Sequence, residues 1–377
     1  MRILGANLTI LTLLAVALAG TPARAAATEC GDLPGLRAGL NRLITEQGLA
    51  GAAVEVDNPR CGRWTASAGV ADRRIGRPMP VDERFRIGSI TKTFTAVAVL
   101  QLAAEGQVSL DASVDSYLPG LVQGAYDGRR MSVRDLLRHT SGLPDHADLP
   151  EGEQWRYRTF RPAELVRLAL AMPRPERTWH YSTTNYALAG MIVERVTGRP
   201  LEAEVERRVL RPLGLSGTYW PGDSPAIRGA HPRSYTLVEQ NGTPIRIDGT
   251  NWNMSYGWAG GALISTLPDL NRFFDALLDG RLLPAPWTAE LTRTIPADEE
   301  RLGAGARYGL GVMSLPMSCG GHWIGHGGTS PGGFRAWTAV NPNGRRVSFV
   351  LNEVPATEQA ELDFRAVVDT ALCEENR

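Results

Sequence analysis

The chain has almost no lysine: of its 40 Lys+Arg residues, only Lys92 is lysine and all the others are arginine. Net charge is absent too, since 40 acidic residues balance the 40 basic ones, which excludes nucleic-acid binding by bulk electrostatics. Beyond the first residues no apolar run reaches the roughly 18 residues of a membrane span, so no membrane anchor is expected. Cysteine is scarce, with four residues, Cys30, Cys61, Cys319 and Cys373. None stand at C-x-x-C spacing, so they read as disulfide partners and not as metal ligands. Aromatics at 7% and hydrophobics at 43% are ordinary for a globular protein.

The start of the chain reads as a secretory signal over residues 1–25. Arg2 supplies the positive end, residues 8–19 an apolar stretch too short to span a membrane, and Ala23-Arg24-Ala25 an A-x-A cleavage site near Ala25. A secreted, extracellular mature protein of residues 26–377 is expected, and disulfides are compatible with that location. Cys30 lacks the small apolar residues before it that lipidation requires. Three pairings of the four cysteines are possible, and Cys30 with Cys61 and Cys319 with Cys373 are preferred because each pair lies within one terminal segment.

Periodicity predicts a helix over 33–49 followed by strands over 51–56 and 63–70, joined through Asn58-Pro59. Residues 89–105 are apolar nearly all round and stop at Gly106, the pattern of a buried central helix. From 111 to about 250 the chain is loop-rich, with helices over 132–138, 162–171 and 184–197. A helix over 268–278 then precedes strands over 308–315, 322–325, 334–340 and 346–354, with Asn343-Gly344 as a hairpin turn. A helix over 358–372 closes the chain. The expected fold is α/β (α+β): an antiparallel sheet built from both termini and flanked by helices, in a lobe of 26–110 and 255–377, with a mostly helical lobe of 111–254 inserted.

The lone lysine stands three residues after Ser89, at the start of the central helix, so both share one face. Arginine is effectively always protonated, whereas a desolvated amine releases its proton and becomes a base. A neutral Lys92 accepting the Ser89 proton would create an activated nucleophile, and free N–H groups at a helix start stabilise an oxyanion. S-x-x-K alone is weak, and two further elements support it. Tyr181-Ser182-Thr183 precedes a helix, where a phenol relays protons. His326-Gly327-Gly328-Thr329 is a glycine-rich passage leading into a strand, where a substrate lies close to backbone.

Two competing motifs fail. Gly328-Thr329-Ser330-Pro331-Gly332 matches the G-x-S-x-G elbow, but the residue after that serine must donate an N–H and Pro331 has none. His322 and His326 are four apart, but the glycines between and around them oppose a helix, and no metal is expected. His139 is expected to support a loop.

Ser89-x-x-Lys92, Tyr181-x-Thr183 and His326-Gly327-Gly328-Thr329, in this order, resemble the serine beta-lactamase and penicillin-recognising hydrolase superfamily. The resemblance extends to Leu137-Arg138-His139-Thr140-Ser141-Gly142-Leu143, to GGALISTLPDL at 260–270, to Tyr308-Gly309-Leu310-Gly311 and to a cysteine pair like Cys319 with Cys373. It implies a beta-lactamase/transpeptidase-like fold, with Ser89 as the acylated nucleophile, Lys92 its proton acceptor and Tyr181 the second acid/base. The N–H groups of Ser89 and Thr329 would form the oxyanion hole, with His326, Gly327 and Gly328 in the third motif. No cofactor is implied. The partners would be small peptide, ester or beta-lactam substrates, and the chain a monomer.

The family's second motif is usually Y-x-N, and here Thr183 replaces the asparagine, with Asn185 as the nearest amide. The carboxypeptidases of this superfamily carry an arginine after Y-G-L-G, where this chain has Val312-Met313-Ser314-Leu315. Arg335 is the candidate replacement as carboxylate anchor. One or two of Trp155, Tyr157, Phe160, Trp252, Tyr256 and Trp258 are expected as substrate walls, Trp258 foremost. The leading expectation is D-alanyl-D-alanine carboxypeptidase-like hydrolysis. An esterase, amidase or beta-lactamase of the same fold comes second, and acyl transfer to an amine or a penicillin-binding sensor without turnover are further alternatives.

Overall fold

The computed structural model describes residues 31–149, 155–240 and 242–374. The expected leader at 1–25 and Cys30 lie outside the described residues. Nine antiparallel strands form the main sheet in the order Arg77–Pro78, Gly62–Asp72, Gly51–Asn58, Arg346–Leu351, Arg335–Val340, His322–Thr329, Met313–Pro316, Arg307–Tyr308 and Ile295–Pro296. The seam between the two chain ends is the pairing of Gly51–Asn58 with Arg346–Leu351, which sets Ala53 opposite Val350. A sheet built from both termini is what the sequence predicts.

Both faces of the sheet are covered, so its central strands are apolar on both sides. Val347, Phe349 and Leu351 face the terminal helices Pro34–Thr45 and Glu358–Cys373, packing with Leu36, Leu40 and Phe364. Val350 and Ala336 face the other way, toward the central helix Thr91–Ala104 and the helix Leu267–Leu278. There the Phe94 and Phe273 rings stack with centroids 3.7 Å apart. In the central helix every residue from Thr91 to Leu100 is buried, which explains why its sequence shows no polar face.

Some sequence expectations need correction. The strand expected over 308–315 is broken: Gly309 N–H bonds to Val312 O, and the chain reverses so that Tyr308 pairs with Met313. Gly311 takes a φ of 85° in that turn, and its carbonyl accepts from the Thr93 hydroxyl at 2.7 Å, docking the turn on the central helix. The strand expected over 322–325 runs on to Thr329, so His326 to Thr329 lie inside it and still precede the strand Arg335–Val340. The segment 111–254 also contains a hairpin of Tyr235–Gln240 and Thr243–Asp248. Many apolar residues of the segment, among them Leu136, Leu165 and Ile192, belong to the cluster that also holds Ala53, Phe94 and Val350, so the helical lobe packs on the sheet through a common core.

Cys319 and Cys373 form a disulfide joining the loop before His322 to the last helix. Cys61 is disulfide-bonded as well; of the expected pair Cys30 with Cys61, the Cys30 end lies outside the described residues. No helix among the described residues is long and apolar enough to cross a membrane.

The contact that positions the site lies between the strand His322–Thr329 and the turn Gly88–Ile90. A Cβ on Gly328 would stand 1.9 Å from Ile87 O and 3.0 Å from Ser89 N, and one on Gly88, whose φ is 51°, would stand 2.4 Å from Thr329 O. Only glycine lets the two backbones meet so closely. Gly328→Ala should therefore lose more than about 2 kcal/mol of stability in urea unfolding, and an alanine variant as stable as the parent would show that this approach is not tight.

Candidate active site

Ser89 sits in the short 3-10 turn Gly88–Ile90, which runs into the helix Thr91–Ala104. One helical turn later Lys92 is fully buried. Its Nζ lies 3.1 Å from Ser89 Oγ, 2.9 Å from Gly260 O and 3.3 Å from Thr183 Oγ1. Burial pushes the Lys92 pKa down to about 7, with Asp145 opposing that fall and Arg301 adding to it. A substantial share of Lys92 is thus a neutral amine near neutral pH, beside a hydroxyl.

Tyr181 closes the other side. Its ring centroid is 4.8 Å from Lys92 Nζ, its phenol interacts with the Ser89 hydroxyl, and burial raises its pKa. The phenol therefore keeps its proton and acts as a donor. His139 holds this segment in place. It ends the helix Val133–Arg138 with a left-handed backbone, its Nδ1 accepts from Ser182 N–H at 3.1 Å, and its ring packs on Tyr181 at 4.4 Å. The expected loop-supporting role fits this geometry.

His326 is buried, with Nδ1 2.5 Å from Gly327 O and Nε2 2.9 Å from the Tyr308 hydroxyl. A carbonyl only accepts, so Nδ1 carries the proton and Nε2 accepts from Tyr308. Burial, then the nearby Lys92, lowers its pKa to about 3. The third motif thus presents a neutral imidazole, and Tyr308 of the Y-G-L-G segment orients it.

These groups open onto a cleft of about 580 Å³ whose lining includes Ser89, Tyr181, Thr183, His326 to Thr329 and Arg335. A hollow of similar size beside Cys319 and Cys373 lacks any such constellation. Of the sequence candidates, Ser89, Lys92, Tyr181, Thr183, His326, Gly327, Gly328, Thr329 and Arg335 come together here. Two do not. Asn185 is wholly buried behind the site, its Oδ1 accepting from Ser141 Oγ and its Nδ2 beside His139 Nδ1. Trp258 is buried with Nε1 donating to Glu202, and its ring presses on Gly190 in the core. The other expected walls fail for the same reason: Trp155, Phe160 and Tyr256 pack on one another. Trp252 is buried in a small satellite cluster, and exposed Tyr157 lies away from the cleft. The aromatic walls are Tyr181 and Trp337.

Besides Trp337 and Arg365, further participants escaped the sequence reading. Gly260 supplies a carbonyl to Lys92, and a Cβ there would stand 2.6 Å from Thr183 Cγ2 and 3.3 Å from Lys92 Nζ. Asp145, Arg301 and Glu361 line the cleft from segments without a recognisable motif. The GGAL segment was visible as a landmark, but nothing in a glycine announces the use of its carbonyl.

A family model described as Beta-lactamase matches residues 35–372. Among curated proteins, esterase EstB of Burkholderia gladioli is 29% identical over 316 residues, covering 75% of this chain and 79% of the esterase. Among solved structures, a D-stereospecific amidohydrolase from Streptomyces sp. is 35% identical with a TM-score of 0.81, covering 91% of this chain and 99% of that one. The D-amino acid amidase of Ochrobactrum anthropi SV3 is 26% identical with a TM-score of 0.77, covering 90% and 98%.

Lys92→Arg retains a cation but not a removable proton. The variant should give no covalent adduct on Ser89 with a fluorophosphonate by mass spectrometry, and a labelled Ser89 in it would dismiss Lys92 as the base. In the parent, adduct formation should rise with pH through about 7, because the base must lose its proton. His139 and His326 are held neutral well below that range, so neither accounts for the limb.

Proposed function

The chain belongs to the beta-lactamase family, a superfamily of serine hydrolases, and on that footing we propose that it hydrolyses small amides and esters of D-amino acids through an acyl-enzyme on Ser89. Lys92 takes the Ser89 proton as the hydroxyl attacks the substrate carbonyl. The oxyanion forms against the backbone N–H groups of Ser89 and Thr329, and Tyr181 protonates the departing amine or alcohol. Lys92 returns its proton toward Tyr181, and water then releases the acyl group by the reverse of these transfers. We also propose export, supported by the leader-like first residues and by the Cys319–Cys373 disulfide.

One observation carries the choice of substrate: each arginine lining the cleft already has a carboxylate partner. Arg335 and Arg365 both bond Glu361 Oε1, at 2.7 and 3.0 Å. Arg301 lies 3.6 Å from Asp145 and 3.7 Å from Asp148. A substrate ending in a carboxylate must compete for one of these cations, whereas an amide or ester need not. The D-specific amidohydrolase and amidase among the similar structures support the same choice.

D-alanyl-D-alanine carboxypeptidase-like hydrolysis is the second reading, and one feature favours it. Arg335 reaches the third motif, with Nη1 3.3 Å from Thr329 Oγ1. It is therefore aimed where a carboxylate would lie, although it is neutralised.

The two readings part in a parallel assay. A D-amino acid amide and a short-chain aryl ester should each exceed an acylated D-Ala-D-Ala peptide and a cephalosporin by at least about tenfold in kcat/KM. A peptide turned over best would reverse the choice. Glu361→Gln releases both guanidinium groups and should raise the peptide-to-amide ratio by about threefold or more, whereas an unchanged ratio would show that Arg335 takes no part in substrate choice.

A further inference from the structure

Thr183 has a hydroxyl where relatives of this superfamily usually have an amide, and a hydroxyl carries a single proton whose direction decides what it offers Lys92. That direction is settled from behind. Asp145 is buried, and its Oδ1 accepts from the backbone N–H groups of Thr183 and Ala147 at 2.9 and 3.0 Å. Its Oδ2 lies 3.3 Å from Thr183 Oγ1 and 3.6 Å from Arg301 Nη2. A carboxylate only accepts, so the Thr183 hydroxyl donates to it and turns its lone pairs toward Lys92.

The consequence falls on the amine. A neutral amine has two N–H bonds and one unshared pair. Gly260 O and the lone pairs of Thr183 Oγ1 both accept, so they take the two N–H bonds. The third neighbour, Ser89 Oγ at 3.1 Å, then meets the unshared pair. We propose that Asp145, acting through the Thr183 hydroxyl, is a positioning residue that aims the unshared pair of the Lys92 amine at the Ser89 proton. Asp145 touches no reacting atom; it does through a hydroxyl relay what an asparagine amide at 183 would do directly.

This inference rests on Ser89 acting as a nucleophile, but one of its readouts does not. Because Lys92 is the only lysine, lysine labelled with carbon-13 at Cε gives one side-chain resonance in a tag-free chain, and its shift follows the protonation of that amine alone. Among the described residues, the charged and titratable groups around Lys92 are Asp145 and Arg301, the rings of Tyr181 and Tyr186, His139, His146, His326 and, further along the cleft, Arg335. Asp145 favours the ammonium and Arg301 disfavours it. Asp145→Asn should therefore move the Lys92 titration to lower pH, and Arg301→Gln should move it to higher pH.

Rate supplies the second readout, as fluorophosphonate labelling of Ser89 above the Lys92 titration in each variant. Asp145→Asn places an amide N–H against Thr183, which must then donate toward Lys92 and compete for the unshared pair. Thr183→Val removes the acceptor while keeping the shape and the backbone bond to Asp145. Both should slow labelling at least about tenfold, and Thr183→Ser should stay within about threefold of the parent. If Asp145 only anchored the chain, its loss would lower stability, and Thr183→Val, which keeps that anchor, would label like the parent. Parental labelling by Thr183→Val, or an unmoved titration in Asp145→Asn, would overturn the proposal. An unlabelled Ser89 in the parent would instead sink the acyl-enzyme reading, while the titration would still report on Asp145.

Discussion

The Lys92 amine is sealed from solvent and held by Ser89, Thr183 and Gly260 at 3.1, 3.3 and 2.9 Å. Each partner comes from a different part of the chain, so the contact is made only when three segments are in place at once. The turn Gly88–Ile90 and the central helix it runs into supply Ser89 and Lys92, the helix Thr183–Thr197 supplies Thr183, and the segment before Ile264–Ser265 supplies the Gly260 carbonyl. The Thr95 hydroxyl donates to Ala259 O at 2.6 Å and the Leu263 N–H donates to Thr91 Oγ1 at 3.1 Å, tying the third segment to the central helix. Burial does two jobs here. It fixes the geometry, and it removes the water that would otherwise keep the amine protonated.

Glycine decides how closely these segments approach. Gly88 and Gly328 let the strand edge lie against the nucleophile turn, Gly260 leaves room for Thr183 and Lys92, and Gly311 fits against Ala96. A side chain at any of them would force the atoms it meets to shift. Backbone N–H groups can serve a developing oxyanion only if nothing stands between them and the carbonyl under attack.

Ser89, Lys92 and Tyr181 were legible because each residue type is suited to a specific chemistry: a lone amine in an arginine-rich chain, a hydroxyl on its helical face, a phenol before a helix. The sheet was legible from alternation and from Asn343-Gly344, since hairpins and long periodic elements are local. The break at Gly309 to Val312 was not, because it depends on docking against the distant central helix. Asn185 misled for a related reason. Two residues along a helix is the wrong face, so it turns toward His139 while Thr183 faces the amine. Asp145, Arg301 and Glu361 follow no motif, and they matter only through side chains that the fold brings to them.

A second buried cation makes plain why Lys92 differs from the arginines elsewhere. Arg86 is almost as enclosed, in an apolar strand between Phe85 and Ile87, with Nη2 donating to Pro225 O at 2.5 Å. Desolvation lowers its pKa as well, but only to about 10, so it remains charged at neutral pH. Desolvation brings Lys92 to about 7. The same force acts on both side chains, and the outcome differs because the guanidinium starts higher and spreads its charge over three nitrogens. Burial thus leaves Arg86 a cation and not a base. A neutral acceptor next to Ser89 needs both the desolvated pocket and an amine in it, and Lys92 is where the two coincide.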